Sequence, residues 1–238
     1  MRWLAVLLLF WAQPAAAVTC EDLTYEGRSF TACTVDVTSA NLRLFHKAPD
    51  GSVIGSFGRI AEMPGVNGLA FAMNAGMYHN DRSPVGHYLE GGVQTMRVVT
   101  NAGPGNFGLL PNGVFCINES FAQVYETLDY VAAAPACRDA TQSGPMLVID
   151  GALHPRFLPD STSRFIRNGV GTSADGGTAV FVISNDSVTF HEFGSFFLDY
   201  LKLPNALYFD GKVSRLYSRA LGRSDFGFQL GPMVAVTE

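Results

Sequence analysis

Apolar residues along this chain fall into short runs separated by turn-forming pairs. That spacing predicts strands joined by tight turns. Thr31 to Val37 and Leu42 to Phe45 read as an early hairpin, with a turn at Asp50-Gly51. Leu69 to Asn74 is an apolar strand running into Asn74-Ala75-Gly76. Tyr88-Leu89, Glu90-Gly91-Gly92 and Val93 to Val99 read as strand, turn and strand. Phe107 to Leu110 and Val114 to Ile117 flank Pro111-Asn112-Gly113, which predicts a further hairpin. Met146 to Ile149 is a buried strand closed by Asp150-Gly151. Ala179 to Ser184 and Ser187 to Glu192 flank Asn185-Asp186 as another hairpin.

Helical spacing is rarer. Gln123 to Ala134 is one helix candidate, interrupted by strand-like residues. Gly194 to Leu203 is the better one: Ser195 caps it, Phe196, Phe197, Tyr200 and Leu201 share a face, and Pro204 stops it. Ala206 to Phe209 then forms a strand ending at Asp210-Gly211, so Thr178 to Asp210 reads as strand–helix–strand. The sum is an α+β chain: a single mixed, mostly β domain over residues 18–238, with a few helices packed on the sheet.

Residues 1–17 break this pattern. Arg2, the apolar run Leu4 to Trp11, Pro14 and Ala15-Ala16-Ala17 have the layout of a signal peptide cleaved after Ala17. The run is shorter than the ~20 residues that span a bilayer, so no membrane anchor is expected after cleavage. The four cysteines, Cys20, Cys33, Cys116 and Cys137, fit an exported protein with disulfides. Three pairings exist, and proximity favours Cys20–Cys33 with Cys116–Cys137. No Cys-x-x-Cys or His pair suggests a metal instead. Charged residues make up 16% of the chain and the formal charge is −5. An acidic surface without a Lys/Arg cluster argues against nucleic acid as a partner.

Polar residues concentrate after four apolar runs: Asn74 to His79, Gln142 to Pro145, Arg164 to Gly171, and Asp210 to Tyr217. Polar groups at the ends of buried strands are a common way for a rigid sheet to present a site. Taken singly, each has a plainer reading. Asp210-Gly211 and Asp150-Gly151 are turn pairs, Arg167 belongs to a turn, and His79, His87 and His154 lack metal-ligand spacing. Gly169-x-Gly171 is too short for a nucleotide loop.

Together and in this order, the segments resemble the phosphodiester glycosidase family. The matching motifs are Asn74-Ala75-Gly76, Ser143-Gly144-Pro145 with Asp150-Gly151, Arg167-Asn168-Gly169-Val170-Gly171, and Phe209-Asp210-Gly211 with Ser214. Departures are Asn168 in place of a threonine, and Lys212 and Arg215 where the family pattern has glycine and serine. The resemblance implies hydrolysis of a sugar-1-phosphodiester on a phosphorylated glycoconjugate in the cell envelope. Asp210 would be the essential carboxylate, Arg167 the phosphate clamp, and His79 an outside acid–base candidate, since histidine titrates near neutrality. Asn74, Ser143, Gly144, Asn168 and Ser214 would orient substrate, with Arg164 and Arg215 as weaker phosphate contacts. No cofactor is required, although a divalent cation would fit chemically beside Asp210. Two rivals stand beside this reading: a non-catalytic binding module for glycans or phosphoglycoconjugates, and a structural protein with Asp210 and Arg167 as a buried salt bridge.

Overall fold

A computed structural model describes residues 17–211 and 213–238; the expected signal peptide, apart from Ala17, and Lys212 lie outside the described residues. Three antiparallel sheets make up the bulk of the domain. The first runs in spatial order β1 (Val18–Tyr25), β2 (Arg28–Asp36), β13 (Thr178–Ser184), β12 (Asn168–Thr172), β14 (Asn205–Asp210), β10 (Met146–Ile149) and β11 (Ala152–Leu153). The second is β16 (Arg223–Ser224), β15 (Leu216–Ser218), β4 (Leu69–Asn74), β17 (Met233–Thr237) and β3 (Asn41–Phe45). The third is β6 (Val93–Met96), β5 (Tyr88–Glu90), β9 (Asp139–Ser143), β7 (Gly113–Ile117) and β8 (Ala122–Glu126). Three short helices, α1 (Phe57–Ala61), α2 (Thr127–Ala133) and α3 (Phe190–Ser195), pack around them. The mostly β, single-domain expectation therefore holds.

One core joins all three sheets, because their inner faces supply interlocking aromatics. Phe71 of β4 meets Phe181 of β13 at 4.9 Å between ring centroids. Phe115 of β7 meets Phe181 edge-on at 5.7 Å and Phe209 of β14 at 6.2 Å. Such tilted pairs add about 0.5–1.5 kcal/mol each beyond area burial. A second core covers the opposite face of the first sheet, where Phe30 stacks on Phe196 at 4.1 Å. There β12 must run close beneath its neighbours. A Cβ on Gly169 would lie 2.5 Å from the Leu207 carbonyl oxygen, a backbone atom that cannot step aside. Gly169→Ala is expected to cost about 2 kcal/mol through overpacking, seen as a lower unfolding midpoint.

Several local readings are corrected by long-range pairing. β2 and β3 do not form a hairpin: β2 pairs with β1 and β13, whereas β3 pairs with β17. Asp36 turns the chain from one sheet to the other, accepting from Thr38 N through Oδ1 at 3.0 Å and from Ala40 N through its carbonyl. Phe107 to Leu110 is a loop, and β7 pairs with β8 and β9 instead. Gln123 to Ala134 divides into β8 and α2, capped by the Glu126 side chain. Ser187 to Glu192 is no strand. Thr189 and Glu192 form a capping box that starts α3, with Glu192 N donating to Thr189 Oγ1 at 3.1 Å. This helix begins five residues before the expected Ser195 cap and continues as a π-helical turn, Phe196–Tyr200. The strand–helix–strand passage itself is present, with β13 and β14 flanking β12.

The two disulfides follow the proximity pairing. Cys20–Cys33 bridges directly opposed residues of β1 and β2, and Cys116–Cys137 ties β7 to the segment after α2. No helix among the described residues is long and apolar enough to cross a membrane.

Buried histidines give the fold a pH dependence. Burial pushes His46, His87 and His154 below the usual histidine value. His87 suits the neutral form: Nδ1–H donates to the Met96 carbonyl at 3.0 Å, while Nε2 accepts from the Tyr130 hydroxyl at 3.1 Å. Below about pH 6.5 the unfolded chain takes up protons that the folded chain refuses, so stability falls with pH. The unfolding midpoint is expected to drop between pH 7 and pH 5; a flat profile contradicts these three buried neutral imidazoles.

Candidate active site at the strand ends

Three strands from two sheets deliver the motif residues to one place. β4 ends at Asn74, β14 ends at Asp210, and β12 begins at Asn168, which faces Asp210 across the ladder. Asn168 is fully buried and acts as a hub. Its Oδ1 accepts from Asn74 Nδ2 at 3.3 Å, from Asp210 N at 3.2 Å and from Ser214 Oγ at 3.2 Å. Its Nδ2 donates to the Asn74 carbonyl at 3.0 Å. Asn74 Oδ1 accepts from Arg215 N at 2.9 Å, which anchors the turn after β14. Ser143, at the end of β9, donates Oγ–H to the Phe209 carbonyl at 2.7 Å and so joins the third sheet to β14. Gly144 sits against Asn112 and the Phe107 carbonyl, where a side chain would collide.

In front of this buried bracket lies a cavity of about 490 Å³. Asp210, Tyr78, His79, Tyr208, Phe107 and Phe165 are among its lining residues. Asp210 is half-buried, and its Oδ1 accepts from Gly211 N at 2.6 Å. His79 is exposed at the rim. Asn74, Asn168, Ser143 and Ser214 do not line the cavity; they fix the backbone that presents Asp210.

Arg167 is 1% exposed, so its cation is held inside the protein. Nε donates to the Val188 carbonyl at 2.9 Å, Nη2 to the Ser163 carbonyl at 3.1 Å, and Nη1 to Tyr208 Oη at 3.5 Å. The guanidinium lies 3.7 Å from the Phe190 ring centroid, a cation–π stack. Among the described residues Arg167 has no ion pair, so the buried Arg167–Asp210 bridge is absent. Burial pulls its pKa down, opposed by Tyr208. An arginine nonetheless stays protonated in proteins. Arg167 reaches the cavity wall through Gly211. A Cβ there would collide with Tyr208 Oη and lie 3.9 Å from Arg167 Nη1. Arg164, by contrast, is spent elsewhere: its Nη1 pairs with Glu192 Oε2 at 2.7 Å on the surface.

The structure adds two tyrosines that spacing did not single out. Burial raises the Tyr78 phenol, and the Asp210 carboxylate raises it further. Tyr208 is raised well above the ordinary value by burial, with Asp210 adding and Arg167 opposing. Both therefore keep their protons at neutral pH. Tyr208 could be found in the sequence only as the polar-tipped member of the apolar run Ala206 to Phe209. Among the described residues, no group of three or more His, Cys, Asp or Glu could hold a metal ion.

Comparisons with known proteins bear on the family and the fold. A sequence model of phosphodiester glycosidases matches residues 67–224, which contain all the motif segments above. The chain is 31% identical over 220 residues to the YigE protein of Escherichia coli K12, covering 91% of this chain and 84% of that one. Among solved structures it resembles the catalytic domain of zebrafish N-acetylglucosamine-1-phosphodiester alpha-N-acetylglucosaminidase, auto-inhibited by its pro-peptide. That likeness has a TM-score of 0.64 and 12% identity, covering 95% of this chain and 85% of that one. A hypothetical protein from Synechocystis aligns with a TM-score of 0.61 and 13% identity, over 92% of this chain and 62% of that one.

Proposed function

The chain belongs to the phosphodiester glycosidase family, and on that premise we propose that it hydrolyses a sugar-1-phosphodiester outside the cytoplasm. The observation that carries the proposal is the cavity lined by Asp210, Tyr78 and Tyr208, with the Arg167 guanidinium buried behind Tyr208 and Gly211.

The reaction breaks the bond between sugar C1 and the phosphate oxygen. Water supplies the oxygen that ends on C1, its proton is passed on, and a phosphate monoester leaves. Phosphate is a weak base, so the leaving group needs little protonation. The larger demand is for a carboxylate near C1 as positive charge builds on the sugar. Asp210 serves that role as base or nucleophile, held by Asn168 and Gly211. The Arg167 cation and the Tyr208 hydroxyl offset charge gathering on the phosphate, in a site of low dielectric where such groups act strongly. His79 lines the cavity and is exposed. The two disulfides suit an oxidising compartment, and the leader pattern of residues 1–17 supports export.

The test is a turnover screen of the purified mature protein against sugar-1-phosphodiesters, with and without divalent metal. Release of free sugar and phosphate monoester supports the reading. Binding of these compounds without turnover favours the alternative, a glycan- or phosphoglycoconjugate-binding module using the same cavity.

A further inference from the structure

The candidate cavity has an exposed phenylalanine in its wall that the proposed chemistry leaves idle. Phe165 lines the cavity together with Asp210 and is 52% exposed. A lone apolar side chain in water is ordinary on a protein surface. This one is held still at a cavity. Its N–H donates to the Val188 carbonyl at 3.1 Å, and its carbonyl accepts from Val188 N at 2.9 Å. Arg167 braces the same segment from inside: Nη2 donates to the Ser163 carbonyl at 3.1 Å, and Nε donates to that same Val188 carbonyl at 2.9 Å. The guanidinium lies over the Phe165 ring, 5.4 Å from its centroid. One side of the ring is therefore backed by a buried cation, and its exposed part is left for a ligand in the cavity. Met77 and Phe107 extend the apolar lining, while Asp210, His79 and Asn106 supply polar groups.

A pyranose has the complementary chemistry, with hydroxyls around its edge and C–H bonds on its faces. On the phosphodiester reading, on which this inference rests, the sugar must enter this cavity for C1 to approach Asp210. We propose that Phe165 is the platform against which the sugar lays a C–H face, so that it sets affinity for the sugar half of the substrate and takes no part in bond breaking. A ring already fixed loses little freedom on binding, and the apolar surface it covers converts to affinity. Phosphate alone offers no such face.

The chain's two tryptophans, Trp3 and Trp11, both lie in residues 1–17, so Phe165→Trp gives the mature protein a single indole, placed at the platform. Its emission is expected to shift on titration with at least one of the 1-phosphates of glucose, galactose, mannose and N-acetylglucosamine. Inorganic phosphate and butyl phosphate should leave it unchanged. By calorimetry, Phe165→Ala should weaken binding of that sugar 1-phosphate about tenfold. Phe165→Tyr keeps the flat ring and should bind as the wild type does. In turnover, Phe165→Ala should raise KM and leave kcat within about twofold, the mark of binding shared by ground and transition states. Unchanged sugar affinity in Phe165→Ala overturns the platform. So does an indole response to butyl phosphate equal to that for the sugars, or no response to any of the four sugars. If a sugar 1-phosphate binds through Phe165 but no sugar phosphodiester is turned over, the platform stands and the hydrolase reading fails. Turnover by Phe165→Ala at the wild-type KM does the reverse.

Discussion

Asp210→Asn is expected to lower kcat/KM for sugar-1-phosphodiesters by about 10³-fold, within the range for losing a positioned acid, base or nucleophile. The unfolding midpoint should stay within a degree or two. Asparagine keeps an Oδ1 able to accept from Gly211 N, as Asp210 does at 2.6 Å. The backbone N–H of residue 210 still reaches Asn168 Oδ1. The substitution takes the negative charge out of the cavity. Turnover of the variant at the wild-type rate removes Asp210 from the mechanism. A large fall in stability instead makes the carboxylate a structural group, and the two measurements together separate these cases.

The second large effect is at Arg167, where structure and chemistry meet in one side chain. Arg167→Ala removes three hydrogen bonds and empties the space against Phe190. The combined loss is expected to be about 3 kcal/mol, measured by denaturant unfolding. Arg167→Lys retains a charge but cannot reproduce the planar fork that reaches Val188, Ser163 and Tyr208 together. It should recover part of the stability and little of the activity. If the lysine variant turns over phosphodiester at the wild-type rate, Arg167 is a strut alone. Unchanged unfolding in Arg167→Ala contradicts the buried hydrogen bonds themselves.

The local strand pattern was legible because a strand needs only alternating burial and a turn at each end. Leu69 to Asn74, Met146 to Ile149 and the Tyr88 hairpin are therefore where the residues say they should be. The failures share one cause. Thr31 to Val37 and Leu42 to Phe45 both bury a face in the same core, and such a pattern is the same whether two strands pair with each other or cross between sheets. Ser187 to Glu192 was misread although its signal was present: Thr189-Phe190-His191-Glu192 spells a capping box. That signal starts α3 ahead of the phenylalanine face that had suggested a later helix.

By itself the sequence determined the mostly β class, the family and the near-neighbour disulfide pairs, all of which rest on local order along the chain. It also supplied the site residues as scattered motifs, each equally readable as a turn. Only the tertiary structure decided which of them share a site. Asn74 and Asn168 are 94 positions apart and meet because β4 and β12 converge at their ends. Ser143 and Phe209 are joined across 66 positions to lock β9 onto β14. The same folding turned Arg164 outward to Glu192 and buried Arg167 behind Tyr208, although the two arginines are only three positions apart. Long-range strand pairing sets those fates, and no local periodicity encodes it.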